Sequence, residues 1–229
     1  MRLAGGEALP LLLLPLLLPQ RRWVHNARMD QGVVGIRNEI ATTAARLVVD
    51  DGMEYGPAKR QALRMLGLPA RTPLPGNDAL EDAVFEHIAI FCAEAQPREL
   101  AALRALAARW MERLAAFRPH LGASVWRGSA TRKSDIVIEL YCDDPKSAEI
   151  SLINQGIVYQ PTVAQGQRGQ PVDALSIADF CPTLRARVVI HLLVHDLDDL
   201  RGALRHDARG GSARGDLAAL RELLQSTPP

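Results

Sequence analysis

Aromatic residues make up only 4% of the 229-residue chain. Few ring faces are therefore offered for stacking the bases of a single-stranded nucleic acid. Charge of one sign is equally scarce, with 27 Lys and Arg against 26 Asp and Glu and a formal net charge of +1. No global basic field draws in a polynucleotide, and the chain carries no strong nucleic-acid signal. Cysteines are three, Cys92, Cys142 and Cys181, widely separated and without C-x-x-C spacing. That pattern excludes a disulfide framework and predicts reduced, structural thiols, as in a cytoplasmic protein. No apolar run reaches the roughly 20 residues needed to cross a bilayer, so no membrane span is expected. The longest, residues 9–19, is broken by Pro10, Pro15 and Pro19, and Gln20-Arg21-Arg22-Trp23 beyond it does not fit a secretory cleavage site. Met29 offers an alternative start, and residues 1–28 are expected to be an unstructured or mis-assigned extension. The chain also lacks a phosphate-binding P-loop. Arg209-Gly210-Gly211-Ser212-Ala213-Arg214-Gly215 is glycine-rich but has no Lys-Ser/Thr pair and no preceding strand, and reads as a linker.

What is present is a folding composition: 48% hydrophobic residues in a chain long enough for one substantial core or two small domains. Helical spacing runs from Val33 through Ile36, Ile40, Ala44, Leu47 and Val48 to Asp50-Asp51-Gly52. A short helix opened by Pro57 and closed by Gly67 follows, then a linker stiffened by Pro69, Pro73 and Pro75. Asp78 and Glu81 resemble a capping box ahead of the stripe Leu80, Val84, Ile88 and Phe91, with Pro97 as the stop. The clearest helix spans 98–118, with Leu100, Leu103, Ala107, Trp110, Leu114 and Phe117 on one face. His120 reads as a loop residue. Asp144-Pro145 starts a helix through Asn154, with Ile150 and Ile153 able to face a sheet, and Asp216 caps a final helix bearing Leu217, Leu220, Leu223 and Leu224.

Strands are confined to the later part. Ile136, Ile138, Leu140 and Cys142 alternate with Asp135, Val137, Glu139, Tyr141 and Asp143, giving one core face and one polar face. Residues 123–126 read as a short strand ending at Gly128-Ser129. Further strands are expected over 157–163, up to Asp179, and over 187–194, with a polar loop at 165–170. Gly128-Ser129 lets a ligand's phosphates approach backbone N–H groups, while Arg132 and Lys133 supply cations. Asp135 then presents a carboxylate on the polar face.

This string, Gly128-Ser129 followed by Ser134-Asp135-Ile136-Val137, resembles the nucleotidyltransferase superfamily, the polymerase-beta-like fold, whose signature is a strand, a Gly-Ser turn and a strand reading Asp-hydrophobic-Asp. More closely, Ala116-Phe117-Arg118-Pro119, Gly128-Ser129-Ala130, Ser134-Asp135-Ile136, Leu152 and Gly156 look like a proteobacterial group of nucleotidyltransferase-like proteins, over residues 33–205. The resemblance implies an α+β fold: a helical N-terminal part (29–118), then a small mixed β-sheet nucleotidyltransferase-like core with flanking helices (119–200), then a linker and C-terminal helix (201–229). It implies transfer of a nucleotidyl group from a nucleoside triphosphate to an acceptor that these residues do not specify. Gly128, Ser129, Arg132 and Lys133 would hold the nucleotide, and Asp135 and Asp179 would be catalytic and hold Mg²⁺. Two metals about 4 Å apart would clamp the attacking and leaving oxygens.

One departure bears on that expectation. Val137 stands where the second acid belongs. Glu139 shares the face, but four residues of strand put it about 13 Å from Asp135, against roughly 7 Å for position 137. A second expectation follows, a non-catalytic nucleotide-binding or protein-interaction module. The group is sometimes labelled a UDP-N-acetylmuramate alanine ligase, for which the chain has no Gly-x-x-Gly-Lys-Ser/Thr element. His191 and His195 share a strand face about 13 Å apart, too far to hold one ion, and Asp196 is a further candidate for the third acid.

Overall fold

The computed structural model describes residues 21–166, 169–203 and 212–226, with side chains over 34–166, 169–201 and 212–226. Two units are distinguished, one ending at Ile36 and the other beginning at Arg37. Within the first, the described residues are the opening turns of α1 (Arg21–Asp51). That helix starts inside the extension expected to be unstructured, whose first 20 residues lie outside the described ones.

The second unit is α+β, with helices ahead of a mixed five-stranded sheet. Its first hydrophobic cluster joins the later turns of α1 to α2 (Tyr55–Met65) and α3 (Asn77–Phe91). Ile40, Ala44, Leu47 and Val48 are buried there against Ala58, Ala62, Leu80, Val84 and Ile88, the residues that the helical spacing selects. Phe91 is not part of that stripe and is 70% exposed. The capping box also differs: Gly76 is the N-cap of α3, without a side-chain cap, and Glu81 is ion-paired to Arg127 at 2.8 Å.

The second cluster surrounds the sheet, and α4 (Gln96–Arg113) belongs to it. Pro97 sits in the first turn of α4 rather than ending the preceding helix, because a missing N–H costs nothing at that position. Leu100, Leu103, Ala107, Trp110 and Leu114 form the buried stripe as expected, but residues 115–117 are a 3-10 turn. The helical layer and the sheet core therefore divide near residue 95, since α4 is packed on the sheet.

After α4 come β1 (His120–Leu121), α5 (Ala123–Arg127), β2 (Ile136–Cys142), α6 (Pro145–Asn154), β3 (Gln160–Gln165), β4 (Pro171–Cys181) and β5 (Ala186–Asp196). Residues 123–126 are thus helical, not a strand, and His120 is a buried strand residue rather than a loop residue. The sheet order is β1-β2-β5-β4-β3, with β2 and β5 parallel and all other pairs antiparallel. α6 supplies the crossover that parallel pairing demands. It is capped by Asp144, whose carboxylate accepts from the Lys146 N–H at 3.0 Å. Ala148 and Leu152, not Ile150 and Ile153, face the core, and the two isoleucines are more than half exposed.

A short helix α7 (Leu200–Ala203) precedes the segment 204–211, which is outside the described residues. Residues 212–215 are not a free linker. Gly215 exchanges two backbone hydrogen bonds with Leu121 at 2.8 and 3.0 Å, and the Trp126 indole N–H donates to the Ser212 carbonyl at 2.7 Å. α8 (Leu217–Ser226) follows, opened by Asp216 accepting from the Ala219 N–H at 2.9 Å, and buries Leu220 against the core as expected. No helix among the described residues is long and apolar enough to cross a membrane.

The two clusters meet tightly where α1 ends. Gly52 has φ +71°, and a Cβ there would fall onto the carbonyl oxygen of Lys133. Gly67 has a similar φ of +65° but open space around it. Alanine at either site carries left-handed strain of about 1–2 kcal/mol, and only at Gly52 does a backbone clash add to it. Urea denaturation should show Gly52→Ala losing clearly more stability than Gly67→Ala, whereas equal losses would mean the contact with Lys133 carries no weight.

Candidate functional site

The loop from Gly128 to Asp135 is not shaped as a phosphate cradle, because the N–H groups of Gly128, Ser129 and Thr131 to Ser134 already have acceptors. Gly128, at φ +92°, closes the C-terminus of α5, and the Gly128 and Ser129 N–H groups both donate to the Ser124 carbonyl at 2.9 and 3.0 Å. The Ser129 hydroxyl is sealed from solvent beside the Tyr55 phenol. The Thr131 N–H donates to the Ser134 hydroxyl, the Arg132 N–H to Glu99, and the Lys133 N–H makes a longer bond to the Thr131 hydroxyl. The side chains of Arg132, Lys133 and Asp135 are exposed to solvent.

Two side chains of α4 fix this loop. The Gln96 carboxamide donates to the carbonyls of Gly128 and Ala130, both at 2.9 Å. The buried Arg104 guanidinium donates to the carbonyls of Val125 and Trp126, both at 3.1 Å, and so satisfies the end of α5. Burial lowers the Arg104 pKa from its ordinary value. Tyr55 is shifted upward, chiefly by burial, with Arg127 opposing and Glu81 adding to the shift.

The small-residue turn that ends a strand lies six residues earlier than expected. β1 stops at Leu121, the Gly122 N–H donates to the Val137 carbonyl at 3.0 Å, and Ala123 turns into α5 at φ +54°. Gly122-Ala123-Ser124 is therefore the turn between strand and helix, and it faces an acid. A Cβ on Gly122 would sit 3.6 Å from the Glu139 carboxylate. Small residues after the apolar Leu121 are a signal the sequence does carry, but a β-like reading of 123–126 hides it.

Glu139 is buried, and its carboxylate is the centre of a polar cluster. The Tyr141 hydroxyl donates to it at 2.6 Å, and Arg214 Nε lies 2.9 Å away. His195 Nε2 stands 3.8 Å from the same oxygen, beyond hydrogen-bond length. The Tyr141 ring is held between His195, stacked at 5.4 Å, and His120, edge-on at 5.3 Å. Arg214 comes from the glycine-rich segment, and no local pattern could have joined it to Glu139.

Asp135 lies at the head of the same face. Its carboxylate is 3.3 Å from His191 Nε2, and His191 Nδ1 is 2.9 Å from the Ser176 hydroxyl. The register explains the row, since Val137 pairs with His191 and His191 with Ser176. Alternation puts Asp179 on the other face with Leu175 and Ile177. There its carboxylate accepts the Trp110 indole N–H at 2.8 Å. Asp135 and Asp179 are consequently on opposite sides of the sheet, and Ser129 points away from both toward the helical layer. Asp196 caps a 3-10 turn by accepting from the Asp198 N–H at 2.9 Å. Among the described residues, no group of three or more His, Cys, Asp or Glu is arranged to hold a metal ion.

Comparison of the chain with protein-family models, with curated proteins and with solved structures finds no match in any of the three.

His195 gives the cluster a pH signature. Its ring is 1% exposed with neither nitrogen hydrogen-bonded, and burial lowers its pKa below 6.5. Glu139 and Asp199 pull upward, Arg214 pushes down, and burial prevails. The unfolded chain therefore binds this proton more readily, so the stability from a neutral ring is complete above about pH 6.5 and is lost as pH falls. The urea midpoint of the native protein should drop more between about pH 7.5 and pH 5 than that of His195→Phe. Parallel drops would remove His195 as the cause.

Proposed function

We propose that the chain is a nucleotidyltransferase-like protein that binds a nucleoside triphosphate by its charge and does not perform metal-dependent nucleotidyl transfer. The order of elements supports the scaffold: a helix, a short strand, a small-residue turn, a helix, an acid-bearing strand and a crossover helix. The observation that carries the reading is the separation of the acids. Asp135 has Val137 beyond it on its face, Glu139 is committed to Arg214 and Tyr141, and Asp179 is bonded to Trp110 across the sheet. A two-metal clamp needs carboxylates converging on two ions about 4 Å apart.

What favours an anionic ligand is the exposed pair Arg132 and Lys133, with their side chains reaching solvent. Magnesium-dependent transfer through Asp135 and Asp179 is the competing reading, and calorimetry with a pyrophosphate-release assay separates the two. ATP should bind equally in Mg²⁺ and in EDTA, weaken by about tenfold in an Arg132→Ala, Lys133→Ala double variant, and release no pyrophosphate. Val137→Asp should leave that independence from Mg²⁺ unchanged. Pyrophosphate release that Asp135→Asn abolishes would overturn the proposal in favour of transfer. No binding under either condition would overturn it in favour of a protein-interaction module.

A further inference from the structure

We propose that Ser176, His191 and Asp135 form a nucleophilic relay that takes an acyl group from a small activated ester. The three residues come from three elements, and only the sheet register joins them. Ser176 lies in β4, His191 opposite it in β5, and Asp135 at the approach to β2. With Nε2–H donating to Asp135 at 3.3 Å, Nδ1 is left as the acceptor for the Ser176 hydroxyl at 2.9 Å. That is the order in which a base activates a hydroxyl and a carboxylate steadies the base.

The surroundings suit a small apolar acyl group. Val137, Val189 and Leu193 are half-buried on the same face and adjoin the row. On the other side, Gln160 pairs with Ser176 in register, so its exposed carboxamide stands on that face with Cβ atoms about 5 Å apart. Its N–H is the donor available to the oxyanion, since the strand N–H groups are in the ladder.

In the first step the Ser176 proton moves to His191 Nδ1 as the oxygen bonds to the ester carbonyl carbon. The tetrahedral species then expels the alcohol oxygen, which leaves with the proton returned by His191. Water, its proton taken by the same nitrogen, next cleaves the acyl-serine and releases a carboxylic acid. Asp135 touches no reacting atom and acts as a positioning residue that holds the His191 ring through Nε2.

The full-length protein is treated with p-nitrophenyl acetate and, separately, with a fluorophosphonate, and the modified residue is read by mass spectrometry. Both reagents should mark Ser176, with release of p-nitrophenol lost in Ser176→Ala and slowed about a hundredfold in His191→Gln. Asp135→Asn should lower kcat for p-nitrophenyl acetate while leaving KM unchanged, a split that a purely structural role would not give. All three side chains are partly exposed, and unchanged urea midpoints confirm that the variants are folded. Ser176 left unmodified by both reagents, or acetylated at the native rate in His191→Gln, overturns the relay. Neither outcome depends on whether ATP binds.

Discussion

The parallel pairing of β2 with β5 is the constraint on which the polar face depends. It sets Val137 beside His191 and Tyr141 beside His195, so Asp135 and Glu139 lie 3.3 and 3.8 Å from a histidine of β5. Asp135 reaches His191 from two residues before the paired position, and Glu139 lies between the levels of His191 and His195. A slip of one residue would exchange the faces, burying Asp135 and Glu139 under α4 and exposing Ile136 and Ile138. The apolar side chains that hold the register are therefore what keep the polar ones together.

α4 carries a second constraint. Its apolar stripe seals one side of the sheet, while Gln96 and Arg104, one on each side of Leu100 and Leu103, anchor the carbonyls of α5 and the following loop. A buried guanidinium is tolerated there because two carbonyls at the open end of a helix carry the complementary partial charge. Trp110, further along, ties Asp179 to the same helix. One element thus fixes a loop near the polar face and occupies an acid on the opposite face.

Regular periodicity made most of the helices legible, because the stripes of α1, α3, α4 and α8 record a packing decision along a single element. Asp144 and Asp216 announced their helices for the same local reason. Strand β2 was legible from its alternation, as was its polar face. What could not be read was anything decided across elements. Asp179 looks like Asp135 in sequence, yet strand parity separates them. Gly128-Ser129 looks like a ligand turn, yet a five-residue helix uses its N–H groups. Arg214 sits in a glycine-rich stretch with no sign that it reaches a glutamate some seventy residues earlier in the fold's numbering. Ser176, His191 and Asp135 are joined only by ladder positions, which no spacing rule exposes.

The location of β5 in the sheet bears on how the protein is made. The last strand among the described residues lies in the interior, between β2 and β4, while the antiparallel β3–β4 pair needs only its own short connection. On the ribosome, that hairpin can assemble early, but it has no link to β2 until residues 186–196 emerge. Such long-range closure is slow and leaves apolar strand surface uncovered in the interval. A nascent chain halted short of β5 would hold two unjoined half-sheets, a state for which a chaperone is the natural custodian.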